Sequence, residues 1–248
     1  MTRIRHVVAA ELSKLLSLPS TAVAFAAMVL GPVAVTFLNA RNAAYTDPAQ
    51  AVLSAAPIGT VGAIVLGVVA MSGEYRSGPQ ESGGGRQITS TLTAMPHRAW
   101  LLVAKAIVVV LLVAVAAAFA FLLALVCAHH VLGGGEAGGV PARLFGAAAY
   151  WAFTALIALA VTVFTRSGIL PLIVLIANGS LVSLSYLLFK VAPAARYLPD
   201  LAGIRLFADE DHLAMADALD PVTGGLVMGA WTTGLLAVAA LVLHRRDA

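Results

Sequence analysis

Four groups of residues in this chain have types and spacings that invite chemistry. Gly83, Gly84 and Gly85 precede Arg86, with Thr89, Ser90 and Thr91 just beyond, the composition of a loop that cradles phosphates. Such a loop takes the form G-x-x-x-x-G-K-[ST] between a strand and a helix, its lysine on the phosphates and its hydroxyl on magnesium. No lysine occurs between Lys14 and Lys105, and the residues before Gly73 form an apolar run. The chain therefore has no recognisable nucleotide site and is not expected to be an enzyme or to hold a cofactor. His129 and His130, and the run Asp209, Glu210, Asp211 and His212, are metal-ligand types without a full ligand set at a metal's spacing. A solvated or interfacial location is the reading set against a metal there. Ser180 paired with His129 or His130 would make an intramembrane serine protease only within about 2.6–3.2 Å. The span assignments below put Ser180 near the middle of its helix and the histidines near an outer end, which argues against contact.

The fourth is a lone carboxylate. The opening "TRIRHVVAAELSKLLS" plots as an amphipathic helix, with Ile4, Val7, Val8, Leu12, Leu15 and Leu16 on one face and Arg3, His6, Ser13, Lys14 and Ser17 on the other. Such a helix lies along a membrane surface. Glu11 falls between Val7 and Leu15 on the apolar face, where an unpaired carboxylate is costly, so it should be paired, neutralised or turned toward a polar cavity. Reaching to solvent or pairing locally is the plainer alternative.

The elements that position these residues follow from composition. Of 248 residues, 60% are hydrophobic and 11% charged, and mean hydropathy is +0.94; soluble domains run at about 45–50% apolar and about 25% charged. A span needs roughly 20 mainly apolar residues, since a helix in lipid must satisfy its own backbone. Runs at 20–38, 52–71, 101–128, 142–164, 169–189 and 223–243 qualify. The expectation is an all-α membrane protein of six transmembrane helices in one domain, residues 1–248. Its appendages are a surface helix (1–18), a polar loop (73–100) and an extracytoplasmic segment (190–221). The first span lies behind a charged helical segment and reads as retained rather than as a cleaved signal. Cys127 is the single cysteine, so an internal disulfide is excluded.

Six spans put both termini on one side. Ten basic residues (Arg3, Arg5, Lys14, Arg76, Arg86, Arg98, Lys105, Arg166, Arg245, Arg246) then share that side, and five (Arg41, Arg143, Lys190, Arg196, Arg205) lie on the other. Basic residues near span ends stay cytoplasmic, so both termini and the polar loop are expected there. The net charge of +3 is a topology signal, and nucleic acid is not an expected partner. Arginine in excess over lysine, with abundant Ala and Gly, points to a GC-rich bacterial genome and hence a bacterial plasma membrane.

Within the polar loop, "SGPQESGGG" (77–85) reads as flexible linker. "RQITSTLTAM" (86–95) makes a short helix with Ile88, Leu92 and Met95 along one face, ended by Pro96. An ordinary surface helix and a partner-docking helix both fit that periodicity. In the fifth run, Asn178, Ser180 and Ser183 are helix-packing or transport-path residues, with packing the commoner use. "VAPAARYLPDLAG" (191–203) is too apolar for a free loop and too broken by Pro193 and Pro199 for a span, and irregular backbone at depth is tolerated only against protein or a water-filled cavity.

"GEYRSG" at the end of the second run, "TLTAMPHR", and "LLVAK" opening the third resemble the permease subunit of type-2 ATP-binding-cassette exporters. The likeness extends to "AELSKLL", "LPLIVLIANGSLVSLSYLL", "ARYLPDLAG" and the closing "HRRDA". One departure is "PQESGGG", inserted where such permeases run almost directly into the docking helix. The resemblance implies a six-span permease paired with a second permease half, as homodimer or heterodimer, and with two copies of a separate ATP-binding subunit that holds ATP and Mg. It implies that Arg86, Ile88, Leu92 and Met95 contact that subunit. Glu74 and Arg76 would tie the second span to the docking helix, with Lys105 as counter-charge. Glu11 joins this transmission group on its own position, a carboxylate on an apolar face beside the entry to the first span. Tyr197, Leu198 and Pro199 would belong to an outer gate dipping into the membrane.

Three functions of different classes follow. The leading one is an exporter permease moving an amphipathic or lipid-like molecule, such as a drug, antibiotic, peptide or lipid, outward. The others are an accessory or sensor subunit without its own transport path, and an intramembrane enzyme.

Overall fold

The structure is a computed structural model that describes residues 2–42, 44–75, 98–133, 140–180, 184–208 and 219–245. All regular elements among the described residues are helical: α1 (Thr2–Leu16), α2 (Pro19–Arg41), α3 (Pro48–Ser72), α4 (Arg98–Leu132), α5 (Val140–Thr165), α6 (Ile169–Ser180), α7 (Leu184–Val191), α8 (Pro199–Ile204) and α9 (Pro221–Arg245), with 3-10 turns at Gly73–Tyr75 and Pro193–Tyr197. Proline opens α2, α3 and α8, where its missing N–H costs nothing. Asp47 caps α3 by accepting the Ala49 amide at 3.0 Å.

Among the described residues five helices, α2, α3, α4, α5 and α9, are long and apolar enough to cross a membrane. The chain has the build of a multi-pass membrane protein. The fifth apolar run, expected as one helix over 169–189, is instead broken into α6 and α7, bent by 55° across a short gap, and makes a sixth span only if the pair is counted together. Asn178 explains how the break is tolerated. Its Oδ1 accepts the Leu184 amide at 3.1 Å, giving the first turn of α7 a partner that the helix itself no longer supplies.

Packing is centred on α3, whose apolar window is 67% buried inside the chain against 33% for α2 and 22% for α9. Two glycines make that position possible. A Cβ on Gly67 would lie 2.1 Å from the Ala155 carbonyl oxygen, so only glycine lets α3 and α5 approach backbone to backbone. A Cβ on Gly59 would lie 2.0 Å from the Trp151 ring. That space admits the buried indole, whose Nε1 donates to the Ala56 carbonyl at 2.9 Å. Without a hydrophobic force between helices in lipid, close contact at small residues of this kind supplies the cohesion. Large apolar side chains remain exposed on the rim, among them Leu30 and Phe37 on α2, Phe119 and Leu122 on α4, and Leu226 on α9, as a lipid-facing surface requires.

The spans alternate in direction, so the C-terminal ends of α3, α5 and α9 gather with the N-terminal ends of α4 and α6. At that end α1 packs across α4 and α2, with Leu15 buried and Val8 and Leu12 against the core. At the opposite end the chain after α7 turns back into the bundle. Trp231 Nε1 donates to the Tyr197 carbonyl at 2.8 Å. Trp231 stands ten residues beyond Pro221, about 15 Å along α9, so Tyr197 is level with the middle of that helix. The chain then climbs back out. Arg143, in the first turn of α5, donates from Nε to the Phe207 carbonyl at 3.0 Å, and Arg205 Nε donates to the Leu219 carbonyl at 2.7 Å, just before α9 begins.

Candidate functional site: a buried charge cluster where three segments meet

At the end carrying α1, four ionisable side chains converge from three parts of the chain. Glu11 and Lys14 come from α1, one turn apart. Glu74 comes from the 3-10 turn that closes α3. Lys105 stands seven residues into α4, about 10 Å from its start. Lys105 Nζ lies 2.6 Å from Glu11 Oε2 and 3.0 Å from Glu74 Oε1, and Lys14 Nζ donates to the same Glu74 oxygen. The order is Glu11, Lys105, Glu74, Lys14, alternating in sign and neutral in sum.

Burial gives the arrangement its weight. The side chain of Glu74 is fully enclosed and that of Lys105 is 1% exposed, whereas that of Lys14 keeps 27% of its surface. An isolated ion at such a place is very costly, and pairing with good geometry is what lets it stay charged. Because Lys105 touches both carboxylates, it is the hub, and because Glu74 serves both lysines, α1 and α4 are tied through the end of α3. The cluster is therefore a mechanical junction: displacing any one segment separates opposite charges in a dry place.

Glu11 occupies the apolar face of α1, and the structure gives it Lys105 as partner. Lys14 was not legible as a member of this group, because helical periodicity assigns it to the solvent face. The available signal was its spacing of three from Glu11, which puts the two side chains on adjoining turns. Arg76, Arg86, Ile88, Leu92 and Met95, with the rest of 76–97, lie outside the described residues, as does Ser183; the side chain of Ser180 is likewise undescribed. Both ends of that polar loop, Tyr75 and Arg98, emerge at the end of the bundle that holds the cluster.

The remaining candidates lie apart from the cluster. Tyr197 closes its 3-10 turn with 44% of its surface exposed, Leu198 is extended, and Pro199 opens α8. Asn178 donates from Nδ2 to Asp200 Oδ2 at 2.9 Å. His129 and His130 are exposed in the last turn of α4, and no group of three metal-ligating side chains occurs among the described residues.

The fold and this site define the class: a helical bundle whose long apolar helices fit a multi-pass membrane protein, with a buried charge junction at one end. No protein-family model matches the chain, and no curated protein does either.

Proposed function

We propose that this chain is the permease subunit of a type-2 ATP-binding-cassette exporter, moving an amphipathic or lipid-like molecule outward with energy from a separate ATP-binding subunit. The observation that carries the reading is the charge cluster and its place. A transporter driven from outside its own chain needs a stiff joint between its spans and the polar loop where the driver pushes. Here Glu74 lies in the turn that leads into that loop and Lys105 stands two turns into the helix that follows it, and both are locked to a helix lying across the bundle. Force on residues 76–97 would pass to α3, α4 and α1 together, since separating them costs buried charge pairs.

On this reading the cluster end and both termini are cytoplasmic, α1 lies along the inner membrane surface, and the segment centred on Tyr197, Leu198 and Pro199 is an outer gate. Arg86, Ile88, Leu92 and Met95 dock on the ATP-binding subunit, Arg76 joins the transmission group, and two such subunits serve a pair of permease halves. ATP and Mg belong to the partner. Asn178, Ser180 and Ser183 pack helices or line the path.

Affinity purification from the native membrane, followed by an ATPase assay, tests the proposal. The expected result is a complex with an ATP-hydrolysing subunit whose turnover responds to amphipathic compounds. Leu92→Asp should abolish that association or uncouple it, because truncating an apolar anchor commonly costs about 2 kcal/mol or more. Deleting residues 79–85 should be mild, since closure free energy changes by only about 0.6 kcal/mol per doubling of loop length. A chain recovered with no ATP-hydrolysing partner, or a harmful deletion beside a silent Leu92→Asp, would overturn it.

A further inference from the structure

Of the five long helices, α9 is the least covered by the rest of the chain, and the face it leaves bare is shaped. Along it lies a groove of about 610 Å³, walled by Phe164, Val227, Leu235 and Val238, with Tyr197 and Trp231 at its head. That volume is within the range that holds a small molecule, about 300–1,000 Å³. Gly234 also lines the groove, and a Cβ there would meet nothing within 4 Å. Trp231 Nε1 already donates to the Tyr197 carbonyl at 2.8 Å, so the indole offers the groove ring surface rather than a hydrogen bond. Trp231 and Val238 are exposed, which leaves the groove open on the side that faces lipid.

The length of the groove and the charge at its end say what fits. Val227 to Val238 is eleven residues of helix, about 16 Å, and one leaflet contributes about 15 Å of hydrocarbon, half of about 30 Å. An extended acyl chain therefore fills it from end to end. Val227, Trp231, Gly234, Val238, Leu241 and Arg245 recur three or four residues apart and so share one stripe of α9. Trp231 is near the middle of the helix, and Arg245 lies about 21 Å beyond it, past the hydrocarbon and level with lipid headgroups. Arg166, exposed two residues after Phe164, brings a second positive charge to the same end, while α9 contains no acid from Pro221 to Arg245. An apolar channel one leaflet long that ends in arginine is complementary to an anionic lipid.

We infer that this groove is a lipid site: one acyl chain of an anionic phospholipid lies along α9 beneath Tyr197 and Trp231, and its phosphate rests on Arg245 in the leaflet at the charge-cluster end. The rings of Tyr197 and Trp231 cover the methyl end of the chain, and the arginine selects the headgroup. Tyr197 belongs to the segment that turns back from the opposite end of the bundle, so a lipid of one leaflet touches chain that enters from the other. The site requires only that the protein lies in a bilayer and is independent of what it transports.

Brominated phospholipids quench tryptophan on contact, and Trp231 stands at the head of the groove. Purified full-length protein is placed in lipid nanodiscs with the exposed Trp100 replaced, as Trp100→Phe; Trp151 is fully buried and adds a constant signal. Two mixtures are compared, brominated phosphatidylglycerol with plain phosphatidylcholine, and the reverse. The anionic lipid should win the site by about fivefold, the preference that one arginine at a lipid surface supplies. Arg245→Gln should bring that preference to near one with quenching retained, since the groove still takes a chain. Gly234→Leu, which puts a side chain into the groove, should weaken quenching by both lipids. An equal contest in the parent protein, meaning ordinary annular contact, overturns the proposal, as does a preference that Arg245→Gln leaves unchanged. Absence of quenching by either lipid also overturns it and would give the groove to a second copy of the chain. Should Gly234→Leu fail to fold, Arg245→Gln, at an exposed position in the last turn, decides the matter by the same readout.

Discussion

Lys105, Glu11 and Lys14 take part in one cluster but are not equivalent, and their differences set an order of sensitivity. Removing Lys105 leaves two buried carboxylates that shared it, and breaking a buried pair typically costs about 3–5 kcal/mol. Glu11→Gln removes one charge, yet Lys105 keeps Glu74 at 3.0 Å. Lys14 is partly exposed, so its loss resembles that of a surface pair, worth up to about 1 kcal/mol. Thermal unfolding in detergent should accordingly rank Lys105→Met as most destabilising, Glu11→Gln as intermediate and Lys14→Met as mildest. An equal effect for all three would mean that the cluster is solvated rather than dry. Of this group, Glu11 was legible from sequence as an acid out of place on an apolar face, while Lys14 was not, since its helical position pointed it to solvent. Only the fold, which closes the end of α3 over α1, turns that lysine inward.

At the scale of elements, the long apolar runs announced their helices because spanning lipid leaves a chain few choices. The fifth run was legible in part. Its apolar composition reads as one helix, the bent pair α6 and α7 makes one span when counted together, and the bond from the Leu184 amide to Asn178 is a partner that periodicity cannot supply. The bond from Trp231 to the Tyr197 carbonyl was equally hidden, although Pro193 and Pro199 already showed that this segment is neither loop nor span. The start of α9 offers an element-level check. Asp220, just outside that helix, accepts the Thr223 amide at 3.0 Å, and hydrogen bonding by the Thr223 side chain and amide holds its carboxyl below the usual range. A carboxyl lowered on folding stabilises the helix start fully above its unfolded value of about 3.9 and ceases to do so as pH falls through the lowered value. Carbon-13 titration of Asp220 in micelles should therefore show a midpoint under about 3.9. A midpoint at or above that value would mean that the cap does not form.

On the scale of the whole molecule, the bundle is organised from α3 outward, and its cohesion comes from close approach at positions such as Gly67 rather than from large side chains. The cluster adds a connection that neighbouring spans alone do not provide, because its members are numbered 11, 14, 74 and 105 and so belong to the beginning and the middle of the chain. Synthesis runs in that order. When α3 has been made and α4 has not, Glu11 and Glu74 lack the Lys105 ammonium that both contact in the finished bundle. The cluster stays incomplete until Lys105 arrives. The fourth helix thus completes a junction that the first three begin, and the early part of the chain is expected to be less settled without it. A fragment of residues 1–97 should be cleared by membrane proteases faster in a pulse-chase experiment than a fragment of residues 1–132, and Lys105→Met in the longer fragment should remove its advantage. Equal lifetimes for all three would show that these early helices settle without waiting for their lysine.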